Sequence, residues 1–301
     1  MARKFSFDNA AFHFMRTDGA GGFLPKFLIA YLLMSAVFTA VNFGIQILLF
    51  GSMNGLAEQM ASGRLAPGQF GAIGLYYLLL MASGAVFWAV FEACVQRRYV
   101  LDADFSIGFG GDESRLLVVG LLWFLFFLAA YIGLIMVTLI AFAPMAATGS
   151  DAGMAAVITV PLVIAGLCIW AWLAIKLSAA SALTIRDQKI QFIDSWGATR
   201  GRFWPLFGAY LILLIFVLVA YFVVMGVLLA VVFGSGLDFS DPSAMAMMSN
   251  PQSMGAMFIV FFLIMSAVQA LFLYIWAGPA ALIAKTDPRG GGAPNVADEF
   301  A

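Results

Sequence analysis

Two ionisable side chains, Glu92 and Lys176, lie inside long apolar stretches of the chain. Charged groups within a membrane are costly, and they mark proton relays, substrate paths or ion pairs. Glu92 comes four positions after Trp88, and Lys176 comes four positions after Trp172, which predicts that the two lie at a similar depth. A single pair near the membrane edge favours an ion pair, or side chains that reach the interface, over a relay for proton or substrate.

Three amide side chains are the other polar groups placed for chemistry within the apolar stretches. Asn42 and Gln46 share one face of the first stretch at a spacing of four, and Gln269 lies in the last. Amides hydrogen-bond across neighbouring helices in lipid. Three of them do not line an ion path, so we predict that they join helices, and a polar path for a small solute is the alternative.

The residue types needed for the common forms of catalysis are missing. His13 is the only histidine, and it lies among aromatic residues near the start of the chain, where contact with a lipid headgroup is favoured over catalysis. Cys94 and Cys168 both lie in apolar stretches, so neither a disulfide framework nor a metal knuckle is predicted. Catalytic triads and Cys-His pairs have no residues to build on. We predict that the protein is not an enzyme.

Two metal-binding motifs in the sequence are weak. Residues 102–113 place acids at positions 1, 3 and 12 of a calcium loop, but Ile107 occupies the sixth position, where the sharp turn requires glycine. Met245, Met247 and Met248 form a thioether cluster that suits Cu(I), yet no histidine or cysteine accompanies it. No metal and no cofactor is predicted.

The composition places these residues in a membrane protein. The 301 residues are 63% hydrophobic and 10% charged, with a mean hydropathy of +1.00. A soluble domain carries about a quarter of its residues as charged side chains, which excludes soluble enzyme folds. The formal net charge of −1, without a basic run, excludes nucleic-acid binding.

Six apolar stretches are long enough to cross a membrane as helices. The alternating ten-residue segments of a β-barrel are not seen in the sequence. We therefore predict an all-α polytopic bundle of six spans arranged as three hairpins. The predicted spans are residues 27–50, 71–95, 116–143, 154–180, 203–233 and 255–284.

The distribution of basic residues predicts the orientation. Lys and Arg are retained on the cytoplasmic side of short loops. With the N-terminus inside, only Arg64 lies outside, so both termini are predicted to be cytoplasmic in a bacterial inner membrane. The predicted cytoplasmic set is Arg3, Lys4, Arg16, Lys26, Arg97, Arg98, Arg115, Arg186, Lys189, Arg200, Arg202, Lys285 and Arg289.

The remaining chain divides around the spans. Residues 1–26 are predicted to be a cytoplasmic interfacial amphipathic segment, residues 27–284 the transmembrane domain, and residues 285–301 a disordered cytoplasmic tail. Aromatic and partly charged segments precede the first, third and fifth spans. We predict short helices along the cytoplasmic interface there, at residues 5–16, 104–115 and 190–202.

One stretch carries a resemblance. Residues 182–186 (ALTIR) and 192–208 (FIDSWGATRGRFWPLFG) combine an apolar segment, a Ser-Trp ending, a Thr-Arg-Gly-Arg turn and an aromatic start to the next helix. This pattern resembles the bacterial family named for the membrane domain of glycerophosphoryl diester phosphodiesterases, and related uncharacterised six-helix inner-membrane proteins. The resemblance implies a stand-alone membrane domain without phosphodiesterase activity, because the terminal tails are too short for the soluble catalytic domain.

The same stretch predicts a contact with lipid headgroups. Trp196 and Trp204 bracket Arg200 and Arg202, so that indole rings at headgroup level would accompany guanidinium groups that bind phosphate. Membrane lipids, anionic ones above all, are therefore the predicted partners, with protein partners or a second copy of the chain as further possibilities.

Two functions follow from these patterns. The first is a non-catalytic membrane protein in envelope or lipid homeostasis, or a scaffold acting through its aromatic and basic cytoplasmic surface. The second is a transporter or channel for a small solute that uses Glu92, Lys176 and the amides. A solvent-filled cavity reaching Glu92 favours the second function, whereas a closed bundle with a groove for acyl chains favours the first.

Overall fold

A computed structural model describes residues 5–16, 21–51, 67–148, 152–234 and 255–289. The described residues are almost entirely helical and contain no strand. Arg64, the cluster Met245, Met247 and Met248, and residues 290–301 of the predicted disordered tail lie outside the described residues. The first two residues of that predicted tail, Lys285 and Thr286, belong to the last helix. The helices are α1 (Phe7–Ala11), α2 (Phe23–Phe50), α3 (Pro67–Leu101), α4 (Gly111–Thr148), α5 (Ala152–Leu177), α6 (Ala180–Asp187), α7 (Ser195–Ala198), α8 (Phe203–Gly234) and α9 (Gly255–Thr286).

The predicted all-α fold with six membrane helices is confirmed. Six helical stretches are long and apolar enough to cross a membrane, and the fourth combines α5 with α6. Their apolar side chains are distributed around the whole circumference, as expected for helices that face lipid as well as protein. The six stretches are Phe23–Phe50, Phe70–Leu101, Gly111–Ile140, Thr159–Asp187, Phe203–Val227 and Ile259–Thr286.

The helices continue past the apolar runs at the end of the bundle that bears most of the charge. The second predicted span stops at residue 95, but α3 extends through Arg97 and Arg98 to Leu101. The charged end is defined here by residues 5–16, 97–115, 186–202 and 284–289. Hydrogen bonds described below join the last three segments, and the Phe5 ring of the first lies 5.2 Å from the Arg202 guanidinium carbon.

The buried core lies in the half of the bundle next to the charged end. Its largest members come from α2, α3, α6 and α9 and include Phe27, Phe91, Tyr99, Leu183 and Ile283. Farther from this end the described side chains are mostly exposed. In the most apolar stretches of the third and fourth membrane helices only 6% of the residues are buried.

Two helices occupy the centre of the bundle. α3 contacts α2, α4, α6 and α9, while α9 contacts α2, α3, α6 and α8. The pairs α2 with α3, α4 with α5, and α8 with α9 also lie side by side. Residues 52–66, 149–151 and 235–254, which join these pairs, lie outside the described residues. The arrangement in three hairpins therefore stays a prediction.

The segment before the first span packs on protein. The Ser6 hydroxyl caps α1 by accepting a hydrogen bond from the Asn9 N–H at 3.2 Å, and a 3₁₀ turn follows at His13–Met15. Ala10 and Ala11 are fully buried, in a cluster with side chains of α8 and α9. The close approach requires small residues on the other side, and Gly278 lies there next to the backbone of the turn.

The other two predicted interfacial helices differ from expectation. Residues 102–110 form no helix, so the prediction of a helix there is wrong at those positions. The glycines at 108, 110 and 111 disfavour helix, and α4 begins only where the Glu113 carboxylate accepts a hydrogen bond from the Gly110 N–H at 2.8 Å. In the third segment only α7, of four residues, is helical.

Candidate functional site

The fourth membrane helix is interrupted at Ser178 and Ala179, where α5 ends and α6 begins. The Ser178 hydroxyl donates to the Ile175 carbonyl at 2.8 Å. The Lys176 carbonyl next to the interruption accepts hydrogen bonds from two hydroxyls, Ser195 Oγ at 3.1 Å and Thr199 Oγ1 at 3.0 Å. Hydroxyls of the segment before the fifth span thus satisfy the backbone where the helix is broken.

Residues 195–202, which belong to the stretch with the predicted family resemblance, pack against this interruption. Ser195 and Thr199 are fully buried, and Lys176 Nζ donates to the Thr199 carbonyl at 3.4 Å. The Lys176 ammonium also lies 5.9 Å from the centre of the Trp196 ring. These contacts hold the segment from Ser195 to Arg202 firmly against the bundle.

Replacing Thr199 by valine will lower the free energy of unfolding by about 1–2 kcal/mol, because the shape is kept while the buried hydrogen bond to the Lys176 carbonyl is lost. Unfolding of the purified protein in mixed micelles measures the change. Thr138→Val is the matched control, since the Thr138 hydroxyl is less buried and bonds only the Leu134 carbonyl of its own helix. Equal effects of the two substitutions would contradict the proposed packing role of Thr199.

The four residues predicted to contact headgroups separate into two groups. Arg200 is exposed, Trp204 is 75% exposed and Trp196 is 39% exposed. Arg202 instead points into the protein and donates to the Thr286 carbonyl at 2.9 Å and to the Thr286 hydroxyl at 2.8 Å. Burial lowers the pKa of the Arg202 guanidinium below its ordinary value. Arg202 therefore caps the end of α9, and the other three side chains remain on the surface.

Arg186 joins three parts of the charged end. Its guanidinium donates to both carboxylate oxygens of Asp187, to the Ala284 carbonyl at 2.6 Å and to Asp287 at 3.5 Å. Burial alone would raise the pKa of the Asp287 carboxyl, but hydrogen bonds from Arg289 and the positive charges of Arg289 and Arg186 hold it below the ordinary value. Asp287 is thus ionised and binds α6 to the end of α9.

The loop between the second and third spans is held by ion pairs of its own. Arg97 Nη1 lies 2.7 Å from Glu113 and 3.3 Å from Asp112, and Lys285 Nζ lies 2.8 Å from Asp102. Two of the three acids that resemble a calcium loop, Asp102 and Glu113, are therefore engaged by Lys285 and Arg97. Among the described residues, no group of three or more His, Cys, Asp or Glu side chains is arranged to hold a metal ion.

Glu92 and Lys176 do not form an ion pair with each other, although both belong to the described part of the chain. The Glu92 carboxylate accepts a hydrogen bond from Gln96 Nε2 at 2.8 Å and lies within hydrogen-bonding range of Ser181. Lys176 turns toward α7, whereas Glu92 turns toward Gln96 on its own helix. Glu92 is buried, with only 8% of its surface exposed.

The three amides are also placed apart. Asn42 Nδ2 donates to the Phe38 carbonyl of its own helix at 2.7 Å, and Gln46 is half-buried one turn farther along α2. Gln269 is exposed and lines a cavity between α2, α3 and α9. No described hydrogen bond joins these amides across helices.

That cavity has a volume of about 400 Å³. Glu92 and Lys176 are not part of its lining. Aromatic rings and hydroxyl groups make up most of its wall, which consists of Tyr31, Ser35, Phe38, Thr39, Gly84, Phe87, Phe261, Phe262, Met265, Ser266 and Gln269.

No family model, curated protein or solved structure matches the chain. The resemblance of residues 182–208 to the phosphodiesterase membrane-domain family therefore stays a prediction.

Two features of the structure were missed by the sequence reasoning. Tyr31, Ser35, Thr39 and Ser266 line the cavity, but single small or hydroxyl residues within apolar runs are too common to mark a site. The second feature is Arg98, for which the sequence predicts only a charge on the cytoplasmic side. It is 95% buried, and its guanidinium carbon lies 5.4 Å from the centre of the Phe23 ring. Its position next to Arg97 gives no sign that one of the two side chains points inward.

Proposed function

We propose that the protein is a non-catalytic integral membrane protein that acts in lipid or envelope homeostasis by binding anionic lipid headgroups at its charged end. The observation that carries the proposal is the surface formed by Trp196, Arg200 and Trp204. The Arg200 guanidinium is exposed and makes no hydrogen bond or ion pair within the described residues, and an exposed tryptophan lies on either side of Arg200 in the sequence.

The surroundings of Arg200 support this role. Most other arginines of the charged end bond carboxylates or carbonyl groups of the protein, as Arg97, Arg186 and Arg202 do. A guanidinium left free at headgroup level binds phosphate with two parallel hydrogen bonds. Because Ser195 and Thr199 fasten the segment to α5, Arg200 is held in place before the lipid arrives.

The orientation belongs to the same proposal. Among the described residues, the charged end carries the basic residues of the loops and of the segments next to the spans, and such residues are retained in the cytoplasm. We therefore place the charged end on the cytoplasmic side of a bacterial inner membrane, with the N-terminus and C-terminus on that side. Anionic headgroups are abundant on this surface and attract basic side chains.

The transport alternative has less support. The cavity between α2, α3 and α9 does not extend to Glu92, and the Glu92 carboxylate is enclosed by Gln96, Ser181 and neighbouring buried tyrosines. A solute path through this level would have to open a packed part of the core. The contacts around Glu92 therefore favour a structural role for this carboxyl group.

Replacing Arg200 by glutamine will reduce binding of dioleoyl phosphatidylglycerol about tenfold, since a charge-assisted hydrogen bond contributes roughly 1.5–3 kcal/mol and 1.4 kcal/mol equals a factor of ten. Native mass spectrometry of the purified protein, titrated with this lipid, measures the occupancy of bound lipid.

Lys189→Gln is the matched control. Lys189 is an exposed cation at the same end without a described partner, but no exposed tryptophan adjoins it. We expect at most a twofold loss for this variant. Equal losses for the two variants would show that only the net charge matters, and an unchanged affinity of Arg200→Gln would overturn the proposal.

A further inference from the structure

We propose that the cavity between α2, α3 and α9 binds a neutral, membrane-soluble molecule by donating hydrogen bonds to the carbonyl groups of that molecule. This site is separate from the charged end. It lies in the central part of the membrane, because Tyr31 is eight residues from the start of α2 and Thr39 is eleven residues from its end. At 1.5 Å per residue these positions are about 12 and 16 Å from the helix ends.

Unused hydrogen-bonding groups carry the inference. Ser35 is 8% exposed and Ser266 is 5% exposed, so both are more than nine-tenths buried, and both line the cavity. In the described part of the chain neither hydroxyl has a hydrogen-bond partner, and neither oxygen is shielded on all sides. The two hydroxyls therefore face the cavity.

Other hydroxyls in the membrane helices behave differently. Ser83 Oγ donates to the Leu79 carbonyl at 2.7 Å, and Thr138 Oγ1 donates to the Leu134 carbonyl at 2.8 Å. Leaving a buried hydroxyl without a hydrogen-bond partner destabilises the folded protein. Two such groups directed at one space indicate a ligand that accepts their hydrogen bonds.

More donors line the same wall. The side chains of Tyr31, Thr39 and Gln269 also make no hydrogen bond within the described residues. All of these groups donate hydrogen bonds, and the wall contains no acid, lysine, arginine or histidine. A neutral ligand that presents carbonyl oxygens fits this set, whereas an ion finds no opposite charge.

The apolar part of the wall defines the body of the ligand. Four phenylalanines and Met265 surround the hydroxyls, and Phe38 and Phe87 have ring centres 5.4 Å apart. Gln269 and Phe261 are exposed, so the cavity opens on the surface of the bundle at membrane depth. A molecule dissolved in the lipid phase enters there. The cavity volume of about 400 Å³ suits the glycerol ester region of a diacylglycerol or a quinone ring.

Photolabelling tests the site with the whole chain in phosphatidylcholine nanodiscs. The probes are a diazirine-bearing diacylglycerol and a diazirine-bearing benzoquinone, which share carbonyl chemistry and differ in source. We expect labels on peptides that contain Ser35, Phe87 or Ser266, and we expect an excess of unlabelled dioctanoylglycerol or decylbenzoquinone to reduce them at least fivefold. The competitor that acts at the lower concentration identifies the source.

Two kinds of variant separate binding from folding. In Gly84→Leu the added side chain starts 4.0 Å from the Phe38 ring and fills the cavity, so labelling falls at least fivefold. In Ser35→Ala combined with Ser266→Ala the shape is kept, and the competitor concentration needed for half displacement rises about tenfold. Thermal unfolding of each variant confirms that the fold is retained.

Ser83→Ala is the control, because Ser83 adjoins Gly84 but bonds its own helix and does not line the cavity. It will leave labelling and displacement unchanged. Labels spread evenly over the exposed faces of α4 and α8, or labelling that neither competitor reduces, would overturn the proposal. The same holds if the double serine variant binds both competitors as the unsubstituted protein does.

Discussion

Replacing Arg186 by alanine will lower the free energy of unfolding by about 3 kcal/mol. The guanidinium side chain is only 11% exposed and Asp287 is 5% exposed, so the ion pair is largely shielded from water. Removing one partner of a buried pair leaves the other charge uncompensated, which costs about 3–5 kcal/mol. The lower end of this range applies because Arg289 still bonds Asp287 at 3.0 Å. Titration with sodium dodecyl sulfate in mixed micelles, followed by tryptophan fluorescence, measures the loss.

Arg115→Ala is the matched control for this substitution. Arg115 bonds Asp112 at 3.0 Å and Gln188 at 2.7 Å, but its side chain is 31% exposed. Ion pairs with such access to water contribute about 0–1 kcal/mol. A loss for Arg186→Ala no larger than the loss for Arg115→Ala would show that the Arg186 contacts do not join α6 to α9 as described.

Replacing Gly120 by alanine will lower the free energy of unfolding by about 1–3 kcal/mol. A methyl group at this position of α4 would lie 2.7 Å from Cζ3 of the Trp88 ring on α3. A ring cannot bend away as the end of a flexible chain does, so α3 and α4 must separate or Trp88 must leave its rotamer. The same micelle titration measures the loss, and crosslinking of α3 to α4 reports the separation.

Gly133→Ala on the same helix provides the comparison, because no atom lies within 4 Å of a methyl group there. Alanine favours helix over glycine by up to about 1 kcal/mol, so this variant will be as stable as the unsubstituted protein or slightly more stable. Similar losses for the two variants would contradict the described contact between Gly120 and Trp88.

The six membrane helices could be predicted because a run of apolar residues has few other solutions in lipid. The residues at which these helices stop, on the side of the charged end, could not be predicted. Arg97 and Arg98 end the apolar run, but the helix continues because one is paired with Glu113 and the other is buried over Phe23. The interruption of the fourth span at Ser178 could not be predicted either, because no proline or glycine lies at this position. The hydroxyls that bond the free Lys176 carbonyl there come from residues about 20 positions later in the chain.

The sequence predicts which residue types form the candidate site, but it predicts less well the direction in which each side chain points. Trp196, Arg200 and Trp204 are on the surface as the anchor requires, whereas Arg202, two residues after Arg200, bonds Thr286. Depth along the sequence suggested that Glu92 and Lys176 are neighbours, but partners also depend on where each side chain points around its helix. In a broken helix such as the fourth span, the spacing of residues along the sequence does not predict the direction in which each side chain points.

The concentration of the core next to the charged end has a consequence for tolerance to substitution along the membrane normal. Most large side chains that are fully enclosed, such as Phe27, Phe91 and Leu183, occupy one slab of the bundle. Exchanges among leucine, isoleucine, valine and phenylalanine in that slab change packed volume and lower stability. On the exposed faces of α4 and α5 the same exchanges alter only the contact with fluid acyl chains. The sequence of such a protein can therefore drift freely in one leaflet while it is constrained in the other.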